Sequence, residues 1–166
     1  PRPTVAPVTA GPAAAPAPTR EWTILVFLNA DNSLDPFGPK DLAEMAKDCH
    51  VVIVACPGGE ATRNLVDAKA IEALGKKGYL VNISRGSVVE EPALVKALVE
   101  GKLAGAGLDV FVDEPRVPEA LIKLDNVVLQ PHVGSATTET RKAMADLVVN
   151  NLVEHFAGRK LLTPVN

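Results

Sequence analysis

The chain has 166 residues, 47% of them hydrophobic, which suits one domain with a sizeable core. Its formal net charge of −3 and its lack of a basic run argue against nucleic acid as a partner, because phosphate binding requires a basic surface. No apolar stretch approaches the roughly 18 residues of a membrane helix, and the first 20 residues lack a signal-peptide core, so no membrane association is expected. Cys49 and Cys56 form no CxxC motif, which predicts reduced thiols in a cytoplasmic protein.

Residues 1–20 contain six of the 14 prolines and six alanines, with no acidic residue. This composition cannot form a packed core and predicts a disordered, polyproline-like tail or linker. A proline-rich docking peptide is the alternative. Residues 21–166 are then expected to form a single domain.

Within that domain, short apolar runs alternate with segments of helical period. The runs are apolar almost throughout, which is typical of strands that are buried on both faces. The predicted strands are 22–28, 51–56, 79–84, 106–111 and 126–131.

Helix signals lie between and after these strands. The alternation predicts an α/β fold, a three-layer sandwich in which a parallel sheet of about five strands has helices on both faces. The predicted helices are 40–48, 67–76 with Asp67 as N-cap, 92–100 between Pro92 and Gly101, a short helix from Pro118, and 138–157 capped by Thr137 or Thr138 and ended by Gly158.

Four polar residues lie at the carboxyl ends of three of these strands or in the loops that follow them: Arg85, Asp109, Glu114 and His132. Ligands of open α/β sheets bind outside the carboxyl ends of the strands, so this convergence predicts a site for an anionic carbonyl compound. Taken singly, Arg85, Glu114 and His132 also fit ordinary surface or loop positions. Asp109 is harder to explain in that way, because a buried carboxylate needs partners.

Residues 41–166 resemble the C-terminal half of a D-isomer-specific 2-hydroxyacid dehydrogenase, most of all its hydroxypyruvate and glyoxylate reductase branch. The resemblance covers about three-quarters of the chain and includes its final LLTPV. It is carried most clearly by NISRG (82–86), GLDVFVDEP (107–115) and QPHVGSAT (130–137).

The resemblance implies a role for each residue of this set. Arg85 would bind the carboxylate of a small 2-oxo or 2-hydroxy acid, a task suited to a planar bidentate donor. His132 would exchange a proton with the carbonyl oxygen, and Glu114 would fix its tautomer. The implied cofactor is NAD or NADP. The residues implied to bind it are Pro57, Ile83, Ser84, Asp109 and Gly134, with Asp109 at the nicotinamide end.

Two features of that family are missing from the sequence. One is the GxGxxG turn after the first strand, which binds the pyrophosphate. The segment GAGLDV (105–110) does not replace it, because it leads into a strand rather than a helix. Its small residues are interpreted as allowing close packing. The other is the acidic residue that selects NAD over NADP.

Residues 21–45 instead resemble the opening strand and helix of clostripain-type cysteine peptidases, so the sequence predicts a chimera that joins them to a dehydrogenase-derived segment, 46–166. The loop 29–38 carries Asp31 and Asp35, whose charges would repel a pyrophosphate. Its spacing lacks the glycine and final glutamate of an EF-hand, so no metal site is predicted.

Two functions follow as hypotheses. The first is a weak or inactive remnant of an NAD(P)-dependent 2-hydroxyacid dehydrogenase. The second is a non-enzymatic recombined or engineered chimeric domain. Either could form a homodimer that covers an exposed sheet edge.

Overall fold

The structure is a computed structural model that describes residues 23–27 and 38–164. Their strands form one parallel sheet, in the same order in the sheet as in the sequence. The predicted α/β class and five-stranded parallel sheet are confirmed. The strands are β1 (Ile24–Phe27), β2 (Val51–Val54), β3 (Tyr79–Asn82), β4 (Gly105–Leu108) and β5 (Val127–Leu129).

Five helices of the described residues connect or follow these strands, close to their predicted bounds. Asp67 is the N-cap of the second, as predicted, and its side chain accepts a hydrogen bond from Ala70 N. The helices are α1 (Gly38–Ala46), α2 (Ala68–Leu74), α3 (Glu91–Val99), α4 (Glu119–Ile122) and α5 (Thr138–Phe156).

The hydrophobic core lies on one face of the sheet, between the strands and helices α1 to α4. Along β2 and β3, alternate residues such as Val52 and Leu80 are buried, at 2% and 1% exposed. The other face, which we call the open face, carries Val26 at 50% exposed and Val128 at 63%. Core side chains from the helices include Leu42, Ile71, Leu94 and Leu121.

The described residues therefore contribute helices to one face and leave out the second helical layer of the predicted three-layer sandwich. The reason is topological. When successive parallel strands are laid down in one direction, right-handed crossovers place every connecting helix on the same side. Helices reach the second face only where the strand order reverses, and these five strands contain no reversal.

Helix α5 differs from the others because none of its residues is buried. Thr137 caps its start by accepting a hydrogen bond from Thr140 N, and Gly158 follows its end with φ of 69°. An apolar stripe runs along this helix and is exposed. It comprises Met144, Leu147, Val148, Leu152 and Phe156.

Several predicted features lie outside the described residues. These are the disordered tail 1–20 and the acidic loop with Asp31 and Asp35. In the part of the chain that is described, no helix has the length and hydropathy to cross a bilayer, and no three His, Cys, Asp or Glu side chains come together as a metal site would require.

Candidate functional site at the carboxyl edge of the sheet

The loops after β3, β4 and β5 lie side by side at the carboxyl edge of the sheet, because parallel neighbours end at the same edge. Arg85 lies in the first loop, Asp109 and Glu114 in the second, and His132 in the third. Two independent connections join the second loop to the third.

The first connection is a pair between Glu114 and His132. Glu114 Oε2 lies 2.7 Å from His132 Nδ1, and Glu114 Oε1 accepts a hydrogen bond from Phe111 N at 3.0 Å. Since a carboxylate can only accept, Nδ1 carries the hydrogen and Nε2 is the ring atom left for chemistry. The hydrogen bond from His132 holds the pKa of Glu114 below its usual range, aided by the Phe111 N–H and, more weakly, by the nearby charges of His132 and Arg85.

The second connection runs through Asp109, which is 7% exposed. Its Oδ1 accepts from Val133 N at 2.8 Å and its Oδ2 from Gly134 N at 2.7 Å. These are the partners that a buried carboxylate requires. The bonds hold the chain directly after His132, whose φ of 58° lies in the left-handed region that few non-glycine residues adopt. Asp109 thus helps to fix the backbone that carries the imidazole.

Arg85 is exposed, and its stem crosses the loop after β2. A Cβ atom at Gly58 would lie 2.5 Å from Arg85 Cγ, so only glycine leaves room for the stem in this position. Arg85 Nη1 donates to the carbonyl oxygen of Ser84 at 2.7 Å.

The residues predicted to bind the cofactor lie along the same edge. Pro57 follows β2, and its carbonyl accepts from Thr62 Oγ1 at 2.8 Å. Ser84 is buried, and its hydroxyl donates to the Cys56 carbonyl. Ile83 is 53% exposed and offers an apolar surface beside them.

These side chains fit the nicotinamide end of a dinucleotide. A carboxylate has about four acceptor positions, so Asp109 can still accept from a carboxamide after binding two backbone N–H groups. Ile83 can cover one face of a ring. The pyrophosphate end would lie next to the loop after β1, which is outside the described residues.

The sequence interpretation missed two features of this edge. One is Asn82, the last residue of β3, which is 1% exposed and bonds to the Arg85 loop. A polar residue inside the apolar run YLVNIS is the same signal that identified Asp109, and it could have found Asn82. The other is a pocket of about 270 Å³ beside the Glu114–His132 pair. Its other lining residues are Phe111, Pro115, Val117, Leu129, Gln130 and Pro131.

One protein-family model matches most of the sheet and its loops. The family model for the D-isomer specific 2-hydroxyacid dehydrogenase, NAD binding domain, matches residues 27–134, more than half of the chain. The chain belongs to this family. The match begins inside β1 and continues through α1, so it gives no support to the prediction that residues 21–45 derive from a clostripain-type peptidase.

Relatives within the family agree on the same class of enzyme. The chain is 58% identical over 124 residues to glyoxylate/hydroxypyruvate reductase A of Arabidopsis thaliana, covering 75% of the chain and 40% of that protein. It is 59% identical over 124 residues to the hydroxyphenylpyruvate reductase of Plectranthus scutellarioides, with the same coverage.

A solved structure shares both sequence and fold. It is the NADPH-dependent glyoxylate/hydroxypyruvate reductase of Sinorhizobium meliloti in complex with NADP and malonate. The TM-score is 0.73 at 53% identity, over 75% of this chain and 39% of that one. The chain thus spans about 40% of the length of these relatives.

Proposed function

We propose that this chain acts as part of an NAD(P)-dependent 2-hydroxyacid dehydrogenase that reduces a small 2-oxo acid, with hydroxypyruvate and glyoxylate as the first candidates. The observation that carries the proposal is the 2.7 Å contact between His132 Nδ1 and Glu114 Oε2, with Arg85 on the neighbouring loop. The similarity to glyoxylate/hydroxypyruvate reductases of Arabidopsis thaliana and Sinorhizobium meliloti supports the choice of substrate class.

Each residue of the set has one task in this proposal. The guanidinium of Arg85 binds the substrate carboxylate and orients the carbonyl group. His132 donates a proton from Nε2 to the carbonyl oxygen as it is reduced, and takes it back in the reverse direction. Glu114 holds the ring in the required tautomer and stabilises its protonated form.

The nicotinamide, when bound, supplies the hydride. Asp109 accepts from its carboxamide, while Ile83, Ser84, Pro57 and Gly134 line the groove around it. The choice between NAD and NADP is open, because the acidic residue that decides it in the family has no counterpart in this sequence.

A non-enzymatic domain is the second candidate. It is favoured by the sequence after β1, where NADNSLDPFG (29–38) stands in place of a GxGxxG turn and carries the acidic residues Asp31 and Asp35, whose charges would repel a pyrophosphate. In this alternative, Arg85, Glu114 and His132 are retained by descent.

Two measurements separate these candidates. Calorimetric titration with NADH and NADPH tests cofactor binding, and an assay at high protein concentration tests reduction of hydroxypyruvate and glyoxylate. For the enzyme, replacing the proton donor by His132→Ala should lower kcat by about 10²–10⁴-fold. The matched control is His155→Ala, on exposed helix α5, which should leave kcat unchanged. No cofactor binding at millimolar concentration contradicts the dehydrogenase.

A further inference from the structure

We propose that Asn82 is a positioning residue that holds Arg85 in place for the substrate carboxylate. This inference rests on the role of Arg85 in the proposed function and adds a residue to it. Asn82 does not reach the substrate edge itself, since its side chain is 1% exposed and lies beneath the loop.

The side chain of Asn82 bonds to the loop at two points. Its Nδ2 donates to the carbonyl oxygen of Arg85 at 3.0 Å, and its Oδ1 accepts from Ser84 N at 3.0 Å. One amide group thus binds the backbone on both sides of the Ser84–Arg85 peptide bond. The loop that follows β3 is therefore fixed in relation to the strand.

The partners also determine which way the amide points. A carbonyl oxygen can only accept and a backbone N–H can only donate, so Nδ2 must face Arg85 and Oδ1 must face Ser84. No other side chain of similar size supplies a donor and an acceptor with this spacing and no charge. Aspartate keeps the acceptor but, when ionised, places a negative oxygen against the Arg85 carbonyl.

The rest of the loop is held by close packing. A Cβ atom at Gly86 would lie 2.0 Å from the carbonyl carbon of Phe111, so the loop rests directly against the segment that carries Glu114. The stem of Arg85 rests against Gly58, and its Nη1 donates to the Ser84 carbonyl. The Arg85 carbonyl also accepts from Val88 N at 3.1 Å, and the buried Asn82 amide adds the contact that joins this loop to the end of β3.

Removing the amide should therefore affect substrate binding more than the chemical step. We expect Asn82→Ala to raise KM for hydroxypyruvate about tenfold, with a smaller change in kcat, because the carboxylate contact is shared by the ground state and the transition state. The control is Leu80→Ala, on the same strand and equally buried, which should lower Tm and leave KM unchanged. Equal KM in Asn82→Ala and the wild type would overturn the proposal.

A second variant gives a signature that general destabilisation does not. In Asn82→Asp the introduced carboxyl can donate to the Arg85 carbonyl only when protonated, and burial raises the pKa of such a group. The ratio of its KM to that of the wild type should therefore fall as the pH is lowered from about 8 to about 6. A ratio that does not vary with pH contradicts positioning by hydrogen bonding.

The proposed function and this inference can fail separately. Malonate binding in the presence of NADPH and the exchange rate of the Ser84 amide are measured on the wild type and on Asn82→Ala. A wild type that neither binds malonate nor reduces 2-oxo acids refutes the proposed function. An equally slow Ser84 exchange in both proteins refutes the hold of Asn82 on the loop, whatever the activity. Exchange at least tenfold faster in the variant, with weaker malonate binding, supports it.

Discussion

The carboxyl edge of the sheet and helix α5 are held in different ways. At the edge, the buried Asn82 amide donates one hydrogen bond and accepts another in the loop after β3. The buried Asp109 carboxylate accepts two from the loop after β5. Helix α5 has 19 residues, a capped start and no buried side chain. Its start is held by a side-chain cap, and its apolar stripe is exposed.

The edge is stabilised by tertiary contacts, whereas α5 depends mainly on local interactions within the helix. The arrangement of Arg85, Glu114 and His132 depends on contacts within the described residues, all of them made between Cys56 and Gly134. Helix α5 gains little from tertiary packing, although packing of an apolar face supplies most of the stability of helices in proteins. Four predictions test the contrast, from the largest expected effect to the smallest.

The largest effect is expected in the core. Leu80 is 1% exposed and Leu152, on α5, is 51% exposed. Leu80→Ala should lower the free energy of unfolding by about 2–5 kcal/mol, because it removes a buried side chain and leaves a cavity. Leu152→Ala should change it by less than about 0.5 kcal/mol. Denaturant unfolding measures both, and an equal cost at the two sites would show that α5 is packed in solution.

The next effect concerns the packing of the site loops. In Gly86→Ala the new methyl group would clash with the Phe111 backbone. The shift that relieves the clash should lower the free energy of unfolding by about 1–3 kcal/mol. The matched control is Gly59→Ala, where a Cβ atom meets nothing within 4 Å. Thermal unfolding compares them. If both are neutral, the loops are not in close contact.

A smaller effect is expected from the buried carboxylate. Asp109→Asn keeps one acceptor but turns an N–H group toward Val133 N or Gly134 N. This should lower the free energy of unfolding by about 1–2 kcal/mol. Asp67→Asn keeps an oxygen that can cap the helix, so it should leave the free energy of unfolding nearly unchanged. Chemical denaturation distinguishes the two, and a neutral Asp109→Asn would contradict its role in holding the His132 loop.

The smallest effect is the pH dependence that Glu114 contributes. Its pKa is lowered in the folded state, so its stabilisation is present above the pKa of the unfolded chain and is lost as the pH falls through the folded pKa. The pair with His132 is partly exposed, which limits the effect to less than about 1 kcal/mol. The free energy of unfolding of the wild type should therefore fall slightly more than that of Glu114→Gln as the pH drops below about 4.3. Unfolding curves at pH 3 to 6 test this, and an identical acid profile in the variant would contradict it.

Much of the fold could be predicted because its signals are local. The apolar runs predict the five strands, and Asp67 and Thr137 mark helix starts by binding backbone N–H groups within three residues. The face on which each helix packs could not be predicted in this way, because strand order in the sheet is a long-range property. An apolar run has the same sequence pattern whichever part of the chain supplies the helices that cover the two faces of its strand.

By itself, the sequence determined the family, the strand ends that carry Arg85, Asp109, Glu114 and His132, and hence the edge of the sheet where a ligand is expected. Only the tertiary structure decided how those residues are joined. The Glu114–His132 contact joins two side chains 18 residues apart, and the Asp109 carboxylate bonds to the backbone of residues 133–134; separations of this size in the sequence fix no geometry. Their distances are set by the pairing of β3, β4 and β5, which places the ends of three separated segments side by side.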